Sequence, residues 1–245
     1  MATTASSARS QPAPSLHLHE EGEHNSASPN LLAALTDEEY AQVCAVSSVQ
    51  HFAANSTVFL QGDDHEGIFI ILAGQVRTYY TGPSGREITL AYWSPGNFVG
   101  GPEMFGGGVH MWSGQAIRPT QVLHVRGREL RQLMDRLPRL AVAMVEALVH
   151  KGKCYSALIH MLGTRSAAER LAQLLLLMAN LDGRRVPEGI AISRTLSQED
   201  LAKMVGSTRQ WVTTTMERFR EQGMVDTTPS RILIRDVEAL RRFAG

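Results

Sequence analysis

The sequence predicts an α+β protein in which an antiparallel β-roll precedes a long helix and a C-terminal winged helix-turn-helix. Three observations predict this fold. Short β-rich runs separated by turn residues fill much of the first half of the chain, as in small rolls and barrels. A long helical stretch follows Pro138. Near the C-terminus Gly206 separates two short helices with their own start signals, and a short strand pair follows them.

Bulk properties favour a two-domain protein. The 245 residues carry no formal net charge, but residues 164–245 hold 13 Lys/Arg against 10 Asp/Glu, a balance compatible with phosphate contacts. Two distant cysteines, Cys44 and Cys154, exclude a disulfide framework and a four-cysteine zinc or iron–sulfur site. Neither a signal peptide nor a membrane span is predicted, so we expect a cytoplasmic location and no membrane partner.

Changes in composition and periodicity set the predicted domain boundaries. Residues 1–30 form a polar arm expected to be disordered, and its histidines and acids could bind a transition metal weakly or simply be solvated: His17, His19, Glu20, Glu21 and His24. Residues 31–137 form the roll, 138–163 a dimerisation helix, and 164–245 the winged helix-turn-helix.

The roll begins after a short helix with a capping box at Thr36 and Glu39. Five β-rich runs are separated by turn signals such as Gly62-Asp63, Gly74, Gly85 and Gly96. They cover residues 57–60, 67–72, 75–80, 87–93 and 120–125.

The helix after Pro138 carries an apolar stripe at close to heptad spacing: Leu140, Met144, Leu148, Tyr155, Leu158 and Leu162. Such a stripe predicts self-association with a second copy, and packing against the protein's own roll is the alternative. Gly163 is predicted to end this helix and to serve as a hinge.

Two capping boxes mark the helix-turn-helix. Ser197 with Asp200 begins the first helix, and Ser207 with Gln210 is predicted to begin the second. Gly206 stands where a left-handed residue would end the first helix. The polar start of the second helix is then free to meet base edges in a major groove, whereas an ordinary helical hairpin would leave it in solvent.

This order of parts resembles the cyclic-AMP receptor protein/FNR family of bacterial transcription regulators. The most specific similarity lies in residues 196–210 and in the regular spacing of the glycines in the roll. The similarity covers nearly everything after residue 30. It implies an eight-stranded, cyclic-nucleotide-binding-like roll (a double-stranded β-helix). It also implies a homodimer that binds a pseudo-palindromic DNA operator, acts with RNA polymerase and is switched allosterically by a small-molecule effector.

The resemblance assigns the DNA contacts. Arg209 matches an arginine that reads guanine, and Gln210 replaces a glutamate, which predicts a changed half-site because glutamine prefers adenine. Thr214 replaces a second arginine and would relax specificity or meet a thymine methyl group. Phosphate contacts are expected from three further residues: Gln198, Ser207 and Thr208.

The effector pocket departs from the family pattern. Glu103 and Ser113 match the residues that bind ribose and phosphate in cyclic-nucleotide binders, but Trp112 stands in place of the phosphate-binding arginine. An indole is uncharged and has one donor, which argues against cyclic AMP. Met111 would line the same pocket, and the pair Tyr155-Ser156 matches the residues that face adenine.

Three effector alternatives stay open: a neutral or aromatic molecule, as in the halogenated-aromatic sensors of this family, a cyclic nucleotide held by an atypical cassette, and haem. The loop around His110 resembles that of the carbon-monoxide-sensing haem branch, so His110 could be an axial iron ligand in a gas or redox sensor. The histidine expected at Trp112 is missing from that loop, and a surface histidine is the simpler interpretation. The oxygen-sensing iron–sulfur cluster is excluded because its cysteines are absent.

Other functional classes fit less well. The histidines of the roll are scattered singly, and no Walker, Rossmann or Gly-x-Ser-x-Gly spacing occurs, so an enzyme is not predicted. An interaction module without DNA binding would leave Arg209 unexplained.

Overall fold

A computed structural model describes Leu16 and residues 29–193, 196–228 and 230–245. Among these residues the chain divides into two compact units. The first contains Leu16 and 29–153, and the second contains 154–245. The predicted metal-binding histidines of the arm lie outside the described residues. Within the described ranges, no helix has both the length and the hydropathy needed to cross a membrane.

The first unit is an antiparallel roll. Its described strands are β1 (Ser48–Phe52), β2 (Thr57–Phe59), β3 (Asp64–His65), β4 (Gly67–Ala73), β5 (Val76–Thr81), β6 (Glu87–Trp93), β7 (Phe98–Val99), β8 (Gly108–Val109), β9 (Ser113–Ala116) and β10 (Thr120–Arg126). They form the sheets β1-β10-β4-β7 and β2-β9-β5-β6 and the pair β3-β8. The predicted roll is confirmed, and the sequence patterns missed mainly its shortest strands.

Three helices cover one face of the β1-β10-β4-β7 sheet. They are α1 (Asp37–Ala45), α2 (Gly127–Arg136) and the start of α3 (Pro138–Thr164). The predicted capping box of α1 is present, with both Thr36 and Glu39 bonded reciprocally. Alternate residues of β4, Ile68 and Ile70, pack with Leu130 of α2 in one apolar core. Burial on this scale is the main source of the unit's stability.

The apolar stripe predicted to bind a second copy is divided between two faces of α3. Leu140, Met144 and Leu158 are buried within the chain itself, so the prediction that they face a partner is wrong. We call the exposed set Val142, Val145, Val149 and Ile159 the outer stripe. Its side chains are 59%, 57%, 52% and 71% exposed. Its three valines lie at intervals of three and four residues, as in a coiled-coil contact, and Ile159 follows Val149 by ten residues, which keeps the same register.

The predicted helix break at Gly163 is also displaced. Helix α3 continues through Gly163 to Thr164, and the chain leaves helical geometry at Arg165 and Ser166. Ser166 then caps the next helix in a capping box with Glu169. A glycine inside a helix is tolerated at a cost of about 1 kcal/mol, whereas a cap fixes where a helix starts.

The second unit, beyond the end of α3, is built on α4 (Ala167–Asp182), whose residues from Leu171 to Ala179 are all buried. Its other elements are β11 (Gly183–Val186), β12 (Gly189–Ser193), α5 (Gln198–Val205), α6 (Arg209–Glu221), β13 (Val225–Thr227), β14 (Arg231–Ile234) and α7 (Val237–Ala244). The strands form one antiparallel sheet in the order β11-β12-β14-β13. Helix α7, which the sequence patterns did not predict, packs against α4.

Candidate nucleic-acid interface and sensor interior

Helices α5 and α6 form the predicted helix-turn-helix. Ser197 accepts from the backbone N–H of Asp200, whose carboxylate accepts from the N–H of Ser197, so the predicted capping box is present. Gly206 ends α5 in the left-handed region at φ 66° and ψ 45°. The sharp turn therefore follows from a residue that has no Cβ to resist this conformation.

The start of α6 differs from the prediction by one residue. Thr208 is the N-cap, because its hydroxyl accepts from the N–H of Trp211 at 3.2 Å. Ser207 lies before the cap, and its own N–H donates to the carbonyl of Ala202 in the turn. The prediction of Ser207 as the capping residue is therefore wrong, since the turn uses Ser207 to close α5.

Packing leaves the polar side of α6 exposed. Val212, Met216 and Phe219 are buried, whereas Arg209, Gln210 and Thr214 are exposed in its first turns. These three predicted base-reading residues share one end of the helix. The free N–H groups and the dipole of a helix N-terminus favour an anion such as a phosphate at the same end.

Gln198 and Thr213 meet between the two helices. The Thr213 hydroxyl donates to Oε1 of Gln198 at 2.6 Å, which ties the start of α5 to the second turn of α6. No sequence pattern points to Thr213, because its pairing with Gln198 depends on how the two helices approach each other.

The strand pair β13–β14 forms the wing. The Thr228 hydroxyl accepts from the N–H of Arg231 at 3.2 Å, which closes the turn. Arg235 donates to the Asp226 carboxylate at 2.9 Å, and this bond lowers the pKa of Asp226. Both side chains are well exposed, so the pair adds little stability.

The predicted effector residues of the first unit are spread over two loops and one strand. Glu103 is exposed, with its Cγ only 2.8 Å from where a Cβ on Gly108 would lie. Met111 is also exposed, and Trp112 is partly buried. Ser113 is buried in β9, where its hydroxyl accepts from the N–H of Gln61 at 3.0 Å.

A column of five aromatic rings runs through the roll, with four of them stacked and the fifth, His65, tilted by 35° to its neighbour His110. Phe59 of one four-stranded sheet stacks on Phe69 of the other, with ring centroids 5.6 Å apart. The column continues at one end through His110 to His65, and at the other end to His124. The centroid separations are 4.4 Å for Phe59–His110, 4.3 Å for His110–His65 and 4.7 Å for Phe69–His124.

His65 and His110 are almost fully buried, at 2% and 4% exposure. The Nδ1 atom of His110 lies 2.5 Å from the carbonyl oxygen of Gly100, whereas neither ring nitrogen of His65 has a hydrogen-bond partner among the described residues. Burial, reinforced by the neighbouring His110, lowers the pKa of His65 to about 4. Burial also lowers the pKa of His110. Both rings are therefore neutral near pH 7.

Comparisons with known proteins agree with this architecture. Residues 49–137 match the cyclic nucleotide-binding domain family, and residues 169–243 match the Crp-like helix-turn-helix domain family. The two matches fall on the roll and on the unit that carries α5 and α6. The chain belongs to the cyclic-AMP receptor protein/FNR family of transcription regulators.

Individual relatives support the assignment along most of the chain. The global nitrogen regulator of Synechocystis sp. is 27% identical over 78% of this chain and 86% of its own length. A CRP-like cAMP-activated global transcriptional regulator of Mycobacterium tuberculosis is 25% identical over 88% of this chain and 93% of its own. A solved CooA mutant from Carboxydothermus hydrogenoformans has a TM-score of 0.74 at 26% identity, covering 88% of this chain and 96% of that one.

Two further predicted effector residues lie on α3. Tyr155 is partly buried, and Ser156 is exposed. Burial raises the pKa of Tyr155 far above its usual range, so its hydroxyl stays protonated. Ser156 falls in register with the outer stripe, seven residues after Val149.

Proposed function

We propose that this CRP/FNR-family regulator binds a pseudo-palindromic operator as a homodimer and responds to a small-molecule effector other than cyclic AMP. The observation that carries the proposal is the exposed first turn of α6. Arg209 and Gln210 are exposed there, while the opposite, apolar face of the helix is buried. A DNA-binding regulator of this kind would work with RNA polymerase in the cytoplasm. No catalytic step is part of the proposal.

The operator contacts follow from donor and acceptor chemistry. The Arg209 guanidinium fits the O6 and N7 acceptors of guanine, and the Gln210 amide fits adenine. Thr214 would contact a thymine methyl group. Gln198, Ser207 and Thr208 would bind phosphates, and the Thr213 hydroxyl, which donates to Oε1 of Gln198, leaves the Gln198 NH₂ group as the donor for such a contact.

Arg209→Ala is expected to weaken binding to the operator by about 1–3 kcal/mol and to leave binding to random DNA nearly unchanged. The reason is that a bidentate base contact discriminates between sequences, whereas phosphate contacts do not. Gel shifts at one fixed salt concentration would measure both affinities. Arg220→Ala is the matched control, since Arg220 is exposed near the other end of α6. Equal losses on both DNAs would refute the base-reading role.

The outer stripe supports the homodimer. Its four apolar members, together with Gly152 and Ser156, follow one heptad register along α3. Each copy alone would leave these apolar side chains in water, and pairing two copies buries them. A symmetric dimer would place two α6 helices on two half-sites, one helical turn of DNA apart.

The interior of the roll argues for an uncharged effector. The family's phosphate-binding arginine is replaced by Trp112, and the Ser113 hydroxyl already accepts from Gln61. The buried Arg77 cannot substitute, because its guanidinium is bonded to the Glu87 carboxylate and the Thr89 hydroxyl. With its charge compensated, Arg77 offers little attraction to a further anion. The aromatic column suits a neutral or aromatic molecule better.

Haem is a second candidate because of the tautomer of His110. With Nδ1–H donating to the Gly100 carbonyl oxygen, the lone pair lies on Nε2, the arrangement found in metal-ligating histidines. The ring, however, lies between Phe59, on which it stacks, and the tilted ring of His65, and Trp112 stands where the haem branch has a histidine. These residues do not fit an open haem site.

We therefore expect purified protein supplied with haem to show no Soret band that depends on His110. Titrating wild type and His110→Gln with haem in an absorption spectrometer would test this. A Soret band present in wild type and lost in His110→Gln would establish the haem alternative. Native mass spectrometry of the same preparations would identify any other molecule that co-purifies.

Regulation would follow from a two-state equilibrium. An effector that binds one conformation of the roll more tightly increases the population of the state that contains it. The conformations of α3 and of the DNA-binding unit shift with that state. Because the effector acts only through this difference in affinity, operator binding should change when it is added at fixed salt.

A further inference from the structure

One arginine joins the end of α3 to the turn of the helix-turn-helix. Arg170 lies in the first turn of α4, and its Nε donates to the carbonyl oxygen of Val205 at 2.9 Å. Its NH1 group donates to the carbonyl oxygen of Arg165 at 2.6 Å. Val205 is the last residue of α5, and Arg165 directly follows α3. A single guanidinium therefore links two helix ends that lie 40 residues apart in sequence.

The chemistry of these partners makes the link strong and directional. Carbonyl groups at the C-terminal end of a helix lack intrahelical partners and carry the negative end of the helix dipole. A cation bonded to them gains charge-assisted hydrogen bonds, and the planar fork of arginine fixes the angle between its two acceptors. Lysine would retain the charge but lose this fixed geometry.

The turn after α5 also lies close to the last turn of α3. A Cβ placed on Gly206 would lie 3.7 Å from Cδ2 of Leu162, in the last turn of α3, and 3.8 Å from NH2 of Arg170. A residue with a Cβ at this position would therefore touch both side chains, whereas glycine leaves a small gap there. A shift of the end of α3 would act on this turn through the hydrogen bonds of Arg170.

We propose that Arg170 is a positioning residue that holds the helix-turn-helix in a fixed orientation on the end of α3 and passes movements of α3 to α6. The proposal rests on the proposed DNA-binding function, because its consequence is the placement of Arg209 and Gln210. Arg170 touches no base in this account. It acts through the Val205 carbonyl group and the turn that follows it.

The test compares full-length wild type, Arg170→Met, Arg170→Lys and the control Arg242→Met, an exposed arginine of α7. The probes are a duplex that wild type selects from a random-sequence pool and a scrambled duplex of the same length. We expect Arg170→Met to lose about tenfold in affinity for the selected duplex, the loss expected for a charge-assisted hydrogen bond. Arg170→Lys should lose less, and Arg242→Met should match wild type.

The ratio of the two affinities separates positioning from folding. A variant that is simply less folded loses affinity for both duplexes alike, whereas a misplaced α6 loses the selected duplex more. Equal losses, or no loss in Arg170→Met, would overturn the proposal. Circular dichroism melts report whether Arg170→Met folds. If it does not fold, the ratio of the two affinities is measured on Arg170→Lys instead.

Hydrogen exchange without DNA tests the link independently of the proposed function. In Arg170→Met we expect faster exchange at the Ser207 amide and in residues 163–166 together, because one side chain restrains both. Faster exchange at neither place would overturn the link even if DNA binding holds. Failure of wild type to select any DNA, with coupled exchange intact, would instead count against the proposed function alone.

Discussion

Val145→Glu combined with Val149→Glu is expected to convert the protein into a monomer that has lost most of its affinity for operator DNA. The two valines lie four residues apart in the outer stripe and are more than half exposed. In a symmetric pair of α3 helices the substitutions would bring four carboxylates together at an apolar contact. Burying such unpaired like charges is far costlier than leaving the monomers apart.

Loss of the dimer should greatly reduce the affinity for operator DNA. Two linked recognition helices bind two half-sites with an avidity about 100–10,000-fold above that of one, so a monomer should lose at least the lower figure. Sedimentation velocity would report the mass, and gel shifts would report the affinity. Val49→Glu is the matched control, because Val49 is an exposed valine of β1. A double variant that stays dimeric would show that the outer stripe is not the contact.

The free energy of unfolding of the roll is expected to fall steeply below about pH 6.5, and His65 is expected to be the main cause. In the folded protein burial and the nearby His110 lower the pKa of His65 to about 4. In the unfolded chain a histidine titrates near its ordinary value of about 6.5. The unfolded state therefore binds the extra proton, and the stability present above pH 6.5 is lost as the pH falls towards 4.

The size of this effect is large for one residue. A difference of about 2.5 pKa units corresponds to about 3 kcal/mol when integrated over that window. His110 and His124 have pKa values lowered by burial as well, so they add to the slope in the same direction. The roll should be most stable near neutral pH.

Urea unfolding of wild type and His65→Phe between about pH 7 and about pH 5 would measure the effect. Phenylalanine keeps a ring in the column and removes the titrating group, so the variant should lose less stability on acidification. His51→Phe is the matched control, since His51 is exposed on β1. An identical pH slope in wild type and His65→Phe would contradict the assignment.

Local signals in the sequence were sufficient for the helix-turn-helix. Ser197, Asp200 and Gly206 act through bonds and backbone angles within a few residues, so their pattern predicts the structure directly. The predicted N-cap of α6, Ser207, is one residue before the observed N-cap, Thr208, because both side chains are able to cap a helix. The turn decides between them by using the N–H of Ser207.

Long-range packing explains what the sequence patterns missed. Helix α3 is apolar on two faces, and periodicity alone could not tell which face the roll would cover, so Leu140 and Met144 were assigned to the wrong contact. The ring column joins residues from distant strands, and no spacing in the sequence links His65 to His110 and Phe59. The Arg170 link likewise depends on the meeting of two helix ends.

Under the proposed function, paired α6 helices read a two-fold symmetric DNA sequence. Selection of binding sites from a random-sequence duplex pool by the full-length protein tests it most directly. We expect an inverted repeat whose half-sites are centred about 34 Å apart, one turn of the double helix, with a guanine whose enrichment disappears in Arg209→Ala. Recovery of no consensus, or of an unrepeated sequence that Arg209→Ala selects equally well, would contradict it.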